Sequence, residues 1–345
     1  MATMTIKDIA RICGCSTSTV SRAINDDSGI NKNTKERILR VVEESGFVPN
    51  NSARNLKIIE SNTIALMIKG IANPFFQGMF NIFEQELNEL EYSFIVHEVG
   101  EEQDEVAAAI QLTQEKKLKG IIFLGGLVET PEEERRRIKV PYVRCTSAIY
   151  GNNQNWGGSS VAIDDEKESF RIVDYLCRMG HKRIAIITTP VTDQSVGKLR
   201  LDGYRRALET NGILIDTNLI RRLKKGQREF SIAAGYEAAK ELLESGEDFT
   251  ALYVISDMMA FGAYKAIQET GKKIPADYSV IGFDGIEMGA YYHPSLTTLE
   301  QPVKEMVTAS IDQLMKAIKG KPYEKKTIFE GELVERHSVR RIEKD

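Results

Sequence analysis

Cysteine, histidine and tryptophan are scarce in this chain of 345 residues. It has four cysteines, four histidines and a single tryptophan. So few and so irregularly spaced cysteines exclude a disulfide framework and are typical of reduced thiols in a cytoplasmic protein. After Cys13 and Cys15, the next cysteine or histidine in the chain is His97. A metal site needs three or four ligands at suitable spacing, so we expect neither a metal ion nor a cofactor.

Long apolar runs and catalytic signatures are absent as well. No uninterrupted apolar run of about 18 residues occurs, so no membrane span is expected. The first residues do not resemble a secretory leader. No H-E-x-x-H, G-x-S-x-G or G-x-x-x-x-G-K pattern is present. Asp164 and Asp165 are neighbours whose side chains should point in different directions, which makes them a poor acid–base pair. The sequence therefore predicts a protein that is not an enzyme.

The net charge of −4 is unevenly distributed along the chain. Residues 1–57 contain nine Lys/Arg and six Asp/Glu, whereas the remaining 288 residues contain 37 and 44. A basic head on an acidic body is typical of proteins in which only the head contacts nucleic-acid phosphates. The length itself indicates two or three domains.

The head predicts three short helices. Thr5 followed by Asp8 is a helix-start signal, because both side chains can accept hydrogen bonds from unpaired backbone N–H groups. Gly14 indicates a tight turn, and Ser16 can cap the second helix. The third helix should end at Gly46. The two cysteines on either side of the turn are interpreted as packing between crossing helices.

The second helix has one apolar and one polar face. Val20, Ala23 and Ile24 follow helical spacing and should be buried. The remaining side chains should be exposed: Thr17, Ser18, Ser21, Arg22 and Asn25. Short hydroxyl and amide groups with one arginine suit the major groove of DNA, although a solvated helix face is the alternative.

A further short helix is predicted at residues 52–57, with Asn50 or Asn51 as its cap. Ala53 and Leu56 lie on one face of it. Such a short helix is marginal in water, so it should form only when two copies pack over DNA. Leu56 would then wedge between base steps of the minor groove. An ordinary linker with one exposed leucine is the alternative.

The segments "TIKDIARICGCSTSTVSRAIND" and "RILRVVEESGFVPNNSARNL" resemble the DNA-binding head of the lactose/galactose-repressor (LacI/GalR) family. The resemblance covers about the first 57 residues. It implies a helix-turn-helix head, with a recognition helix, phosphate contacts, helix-end anchors and a hinge helix. The implied residues of the recognition helix are Thr17, Ser18 and Arg22, and those near phosphates are Ser16, Thr19 and Ser21. The implied helix-end anchors are Thr5, Asn25 and Thr34. The implied DNA-binding residues of the hinge are Asn50, Ala53 and Leu56.

From Ser61 onward, short apolar runs alternate with amphipathic segments. This alternation predicts an α/β body with parallel sheets flanked by helices. There are too many strands for one sheet, so two lobes are expected, with crossovers near Tyr150–Ser159 and Leu299–Pro302. The predicted strands are "NTIALMIK", "YSFIVHE", "GIIFLGG", "VPYVRC", "RIAIITT", "ALYVISD" and "YSVIGFD". The predicted helices are Phe75–Leu90, Glu166–Met179, Leu199–Asn211, Ser231–Glu244 and Asp257–Thr270.

The body also resembles the same family, and through it the periplasmic sugar-binding proteins. The motifs that carry this resemblance are "NPFF", "GHKRIAII", "RLDGYRRAL", "SDMMAFGAYKAI", "IPADYSVIGFDG" and "PSLTTLEQP". It implies two lobes that close over a small molecule. The expected domains are residues 1–49, a hinge at 50–60 and a body at 61–339, with an N-lobe of 61–158 and 301–322 and a C-lobe of 159–300 and 323–339.

The effector site implied by the resemblance suits a sugar. Aromatic rings can stack on the C–H faces of a pyranose, and charged groups can hold its hydroxyls. The candidate residues are Asn73, Phe75, Phe76, Arg200, Phe230, Ser256, Asp257, Asp284 and Gln301. Each has a structural alternative, since phenylalanine is common in cores and Asp257 could cap a helix. Thr146 and Ser147 replace an Asp or Asp-Arg that many relatives have, which favours a less polar or larger glycoside.

The sequence thus predicts a sugar-responsive DNA-binding regulator, most simply a repressor. It should bind pseudo-palindromic operator DNA as a homodimer, with Phe75–Leu90 and Lys304–Lys319 as candidates for the dimer face. Gating by a purine or by a partner protein is an open alternative. A periplasmic solute-binding protein is a remote one, because the head and the missing leader argue against it.

Overall fold

A computed structural model describes residues 5–24, 30–45, 62–100, 103–126, 132–148, 158–192, 195–224 and 230–343. The chain divides into two units, Met1–Ser61 and Asn62–Asp345. Within the described ranges, no helix combines the length and the apolar character needed to cross a membrane. Four predicted DNA-binding residues lie outside the described residues: Asn25, Asn50, Ala53 and Leu56.

The first unit contains the three predicted helices, α1 (Ile6–Ile12), α2 (Thr17–Ile24) and α3 (Lys32–Ser45). A reciprocal capping box joins Thr5 and Asp8 at the start of α1. Gly14 has a φ of +58° in the turn that follows, a conformation that favours glycine. The local signals in the sequence therefore locate both ends of this turn correctly.

A small apolar core holds these helices together. It is formed by the buried residues Ile9, Ala10, Cys13, Val20, Ala23 and Ile38. Cys13 is only 3% exposed, and burial raises the pKa of its thiol. Cys15 is half-buried and packs against the same core. Both cysteines thus contribute to packing, as predicted.

The second unit contains two six-stranded sheets, which define the two lobes. The first sheet is parallel throughout, in the order β11-β5-β4-β3-β1-β2. Its strands are β1 (Thr63–Lys69), β2 (Ser93–Val99), β3 (Leu118–Leu124), β4 (Tyr142–Cys145), β5 (Ser159–Ile163) and β11 (Lys326–Phe329).

The second sheet has the order β12-β10-β9-β8-β6-β7, and only its edge strand β12 is antiparallel. Its strands are β6 (Ile184–Thr188), β7 (Ile220–Arg222), β8 (Ala251–Val254), β9 (Ser279–Asp284), β10 (Thr297–Glu300) and β12 (Glu332–Val334). All seven predicted strands are present. The shorter strands β5, β7, β10, β11 and β12 were not predicted.

Helices flank both sheets. Those connected with the first sheet are α4 (Pro74–Glu89), α5 (Glu105–Glu115), α6 (Glu132–Arg135) and α12 (Val303–Ile318). Those connected with the second are α7 (Asp165–Arg178), α8 (Val196–Thr210), the 3₁₀ turn Thr217–Leu219, α9 (Ile232–Glu244), α10 (Asp257–Glu269) and α11 (Met288–Tyr291). The five predicted helices are all found, with ends shifted by a few residues.

The chain passes between the lobes three times, and two of the predicted lobe bounds need correction. β5 pairs with β4, so Tyr150–Ser159 is not a crossover; the chain crosses after Ile163. The crossover near Gln301 is confirmed, because α12 packs against α4 and the first sheet. β11 also belongs to the first sheet, so the third passage follows Phe329. Sheet membership depends on pairing with distant strands, which local patterns do not reveal.

Candidate functional site

The head exposes a compact polar surface along α2. Thr17, Ser18 and Arg22 are exposed, whereas Thr19, Ser21 and Thr34 are half-buried. The Ser16 hydroxyl accepts a hydrogen bond from the Thr19 N–H at 3.1 Å and lies 2.8 Å from the Thr19 hydroxyl. Ser16 is thus the cap of α2, which fixes the start of this helix.

Arg200 and Asp284 form the centre of the polar cluster in the body. Asp284 ends β9 with a φ of +117°, and Arg200 projects from the first turns of α8. Arg200 Nη1 lies 3.5 Å from Asp284 Oδ1, and both side chains are only 4% exposed. The pair lies at the carboxyl end of the second sheet, where open α/β sheets bind ligands.

Three further contacts hold the Arg200 guanidinium. Its Nε donates to Asp165 Oδ1 at 2.9 Å, and Nη1 donates to the Ile255 carbonyl at 2.6 Å. The ring of Phe283 lies 3.6 Å from the guanidinium carbon, as in a cation–π contact. The arginine is therefore fixed before any ligand binds, which lowers the entropy cost of binding.

Residues from a passage between the lobes and from the other lobe lie around Asp284. Gln301 Nε2 donates to Asp284 Oδ1 at 3.0 Å. Asn73 lies at the carboxyl end of β1, and its side chain is among the groups that oppose the rise in the pKa of Asp284 caused by burial. Asn73 also caps α4 by accepting from the Phe75 N–H at 3.1 Å. The Asp284 carboxylate is thus bonded to the second passage and lies near a first-lobe side chain.

Asp257 does not cap α10; its neighbour Ser256 does, by accepting from the Met259 N–H. One oxygen of Asp257 accepts from the backbone N–H groups of Gly285 and Ile286, both at 2.9 Å. The other accepts from the Thr298 hydroxyl at 2.6 Å. Asp257 therefore holds the loop that follows Asp284. Ser256 and Asp257 are both completely buried.

The predicted aromatic residues occupy two different settings. Phe75 and Phe76 are buried in the core with their rings in edge-to-face contact at 5.4 Å. A Cβ atom on Gly125 would lie 3.3 Å from the Phe76 ring, so this ring adjoins the carboxyl end of β3. Phe230 is half-buried and has a φ of +54°. In the chain, Phe230 lies between the edge strand β7 and the start of α9.

Uncharged side chains follow β4 where the resemblance expects an acid. Thr146 has a φ of +79°, and its hydroxyl accepts from the Gly125 N–H at 2.9 Å. Ser147 is completely buried. Both side chains here are thus neutral, and the Thr146 hydroxyl is hydrogen-bonded whereas the buried Ser147 hydroxyl is not.

Burial dominates the protonation of the acids in this cluster. It raises the pKa of Asp165 and of Asp284 to about 6, although Arg200 opposes the rise in both. The pKa of Asp257 rises to about 8, through burial and the neighbouring charge of Asp284. Arg200 thus contacts Asp165 and Asp284 directly, whereas Asp257 favours its neutral form.

Asp165, Phe283 and Thr298 belong to this cluster but were not predicted from the sequence. Asp164 caps α7 and Asp165 points inward, so the two neighbours do point in different directions, as predicted. The helix-start pattern does not tell which of the two is buried. The single arginine in an otherwise apolar stripe of α8 was the available signal for a buried acidic partner.

A helix-turn-helix head joined to a two-lobed α/β body defines a class of ligand-controlled DNA-binding regulators. Residues 5–50 match the family model "Bacterial regulatory proteins, lacI family", and residues 173–339 match the "Periplasmic binding protein-like domain". The chain is 38% identical to the HTH-type transcriptional regulator MalR of Clostridium butyricum, over 97% of this chain and 99% of that protein.

The chain belongs to the lacI family and is a DNA-binding transcriptional regulator, not an enzyme. Two solved structures resemble it over nearly the whole length. A lac repressor dimer bound to operator and the anti-inducer ONPF has a TM-score of 0.74 at 25% identity, covering 98% of this chain and 100% of that one. A complex of the transcriptional regulator CelR with cellobiose has a TM-score of 0.71 at 26% identity, covering 97% and 99%.

Proposed function

We propose that this protein is a repressor of carbohydrate-utilisation genes, controlled by a sugar or glycoside that binds between the lobes. The buried pair of Arg200 and Asp284 carries the proposal, because it lies at the carboxyl end of the second sheet and is bonded by Gln301 from the second passage between the lobes. Sugar hydroxyls can replace these contacts and bond to Arg200 as well. As a regulator of transcription, the protein should act in the cytoplasm.

Within this proposal the predicted residues have two kinds of role. Asn73, Arg200, Asp284 and Gln301 contact the effector hydroxyls, and the exposed part of Phe230 contacts a sugar face. Phe75 and Phe76 shape the first-lobe wall, while Ser256 and Asp257 hold the loops that carry the contact residues. The neutral Thr146 and Ser147 favour an uncharged glycoside.

A thermal-shift screen over sugars, glycosides and purines tests the effector. A ligand at 100 times its dissociation constant stabilises the folded state by about 2.7 kcal/mol. Asp284→Ala and Arg200→Ala should abolish that shift while operator binding persists. A normal response in both variants would place the effector elsewhere. A shift with purines alone would establish the alternative effector class.

DNA recognition should depend on two copies of the chain. A homodimer supplies two heads for a pseudo-palindrome, and α4 with α12 forms the candidate dimer face. These two helices pack together, with the Thr308 hydroxyl bonded to a Glu86 carboxylate oxygen at 2.5 Å. Sedimentation of the protein with and without operator measures the stoichiometry. A single chain per operator would contradict this proposal.

Effector binding should act on DNA through the hinge. A change in the angle between the lobes would alter the separation of the two hinge segments, and the hinge helices would form or melt. Coupling of this kind is reciprocal, so operator DNA must change effector affinity by the same factor. Leu56→Ala should weaken specific binding much more than non-specific binding; an equal loss in both would exclude a minor-groove role for Leu56.

A further inference from the structure

The amino-terminal edge of the first sheet is unusually rich in lysine. Three chain segments lead into strands β3, β4 and β11 there, and each carries exposed lysines. We name the following six residues the lysine edge: Lys116 and Lys117 before β3, Lys139 before β4, Lys321 and Lys325 before β11, and Lys326, the first residue of β11.

The topology places these three segments along the same edge of the first sheet. All strands of the first sheet are parallel, so they begin at the same edge, in the order β11-β5-β4-β3-β1. The Lys325 carbonyl accepts from the Ser160 N–H at 3.0 Å, and the Pro141 carbonyl accepts from the Ile121 N–H at 3.0 Å. With about 4.8 Å between strands, β3 and β11 lie about 14 Å apart. The lysines therefore form a strip rather than isolated charges.

The charge of this strip opposes that of the body. The 288 residues after the head carry 44 Asp/Glu against 37 Lys/Arg, so a random patch should be acidic. Among the side chains that the structure describes, the exposed acids beside the strip are Glu115, Glu133 and Glu324, and the exposed Arg136 and Arg137 add two more cations. The strip thus has a net positive charge on an acidic body, which requires an anionic partner or solvent ions.

The chain connection favours DNA as that partner. β1 starts at Thr63 and pairs with β3, so the strip adjoins the point where the chain enters the body from the hinge segment. The chain that leads to the head is thus covalently joined to the body at this edge. Along the helix axis, one strand of a DNA duplex carries a phosphate about every 3.4 Å, so a strip of about 14 Å matches several phosphates.

We propose that the lysine edge is a second DNA-contacting surface, which binds operator phosphates without reading their sequence. Lysines are compact point charges that hold phosphates without demanding a fixed geometry. The body would then contribute affinity and salt dependence, whereas the head contributes sequence preference. This proposal concerns the protein without effector, so it stands or falls independently of the effector's identity.

The test compares salt dependence of operator binding in two triple variants of the full chain. The edge variant is Lys116→Gln, Lys139→Gln and Lys321→Gln, with one change in each segment. The control variant changes exposed lysines around the second sheet: Lys182→Gln, Lys272→Gln and Lys273→Gln. Both variants lose the same charge. The probe is an operator duplex selected from a random library by the unmodified protein.

Each phosphate contact that is lost should reduce the slope of log K against log salt by about 0.9. We expect a shallower slope in the edge variant only, and recovery when the same three lysines are changed to arginine. Equal slopes in the edge variant and the unmodified protein would overturn the proposal. An equal reduction in the control variant would also overturn it, because net charge alone would then explain the effect.

Discussion

A single oxygen of Asp165 contacts two nitrogens of the Arg200 guanidinium. Its Oδ1 lies 2.9 Å from Nε and 2.9 Å from Nη2 of the guanidinium. Asp165 is the first residue of α7, directly after the first passage between the lobes, and Arg200 also contacts Asp284. Arg200 thereby connects the first passage between the lobes with Asp284. Gln301 connects Asp284 with the second passage.

Asp165→Ala should destabilise the body strongly, because it leaves the Arg200 charge buried without its nearest partner. Removing one member of a buried ion pair costs about 3–5 kcal/mol. Asp164→Ala is the matched control, since it removes only a helix cap, worth about 1 kcal/mol. Urea unfolding followed by circular dichroism measures both. A loss in Asp165→Ala no larger than in Asp164→Ala would contradict the structural role of this pair.

Stability should fall as pH rises wherever a carboxyl has a higher pKa in the folded protein than in the unfolded chain. The folded state then binds more protons, so the free energy of unfolding decreases from about pH 4, the unfolded value, up to the folded value. Asp165 and Asp284 contribute to this decrease up to about pH 6, whereas Asp257 continues it to about pH 8.

Asp257→Asn should remove the part of the decrease between pH 6 and pH 8. The amide can accept from the Gly285 and Ile286 N–H groups and donate to the Thr298 hydroxyl, as a protonated carboxyl would. His181 titrates with the opposite sign, because burial lowers its pKa, but it is common to both proteins and cancels in the difference. Parallel unfolding free energies of the two proteins from pH 6 to pH 8 would contradict the raised pKa of Asp257.

The third passage between the lobes offers a direct comparison of a buried and an exposed carboxylate. Arg171 Nη1 lies 2.5 Å from Glu168 Oε2 and donates to the Gly331 carbonyl at 2.9 Å, and the Glu168 side chain is completely buried. Lys167 pairs with Glu330 at 2.6 Å, and the Glu330 side chain is 73% exposed. The Arg171 and Lys167 side chains leave the same helix, α7, and are 39% and 49% exposed, so the two pairs differ mainly in the burial of the carboxylate.

Arg171→Met should therefore cost about 1–3 kcal/mol, since it leaves the buried Glu168 carboxylate without its partner although the arginine itself is partly exposed, whereas Lys167→Met should cost less than about 1 kcal/mol. Urea midpoints of the two variants give the comparison, and Arg171→Lys shows how much a charge alone restores. Similar losses in Arg171→Met and Lys167→Met would show that the third passage is not held by the pair of Arg171 and Glu168.

Local patterns predicted the helices, the buried strands and the turn at Gly14, because each depends on residues close in the chain. The sheet that each short strand joins was not predictable: β11 joins the first sheet through β5, which lies far earlier in the chain. Asp165 was missed for a related reason. Its burial depends on Arg200, which lies 35 residues further along the chain. The resemblance supplied Asp284 and Arg200, which spacing alone would not have distinguished from surface charges.

Ser16, the cap of α2, and Ser18, in the first turn of α2, should separate stability from recognition in the head. The Ser16 hydroxyl accepts from the Thr19 N–H, so Ser16→Ala should lower the stability of the head by about 1 kcal/mol. Ser18 is exposed on the polar face of α2, so Ser18→Ala should leave the melting temperature unchanged and alter the preferred operator. Thr17→Ala should behave like Ser18→Ala. Calorimetry measures the first effect, and selection from a random DNA library measures the second. An unchanged operator preference in both Thr17→Ala and Ser18→Ala would show that α2 does not read bases through these hydroxyls.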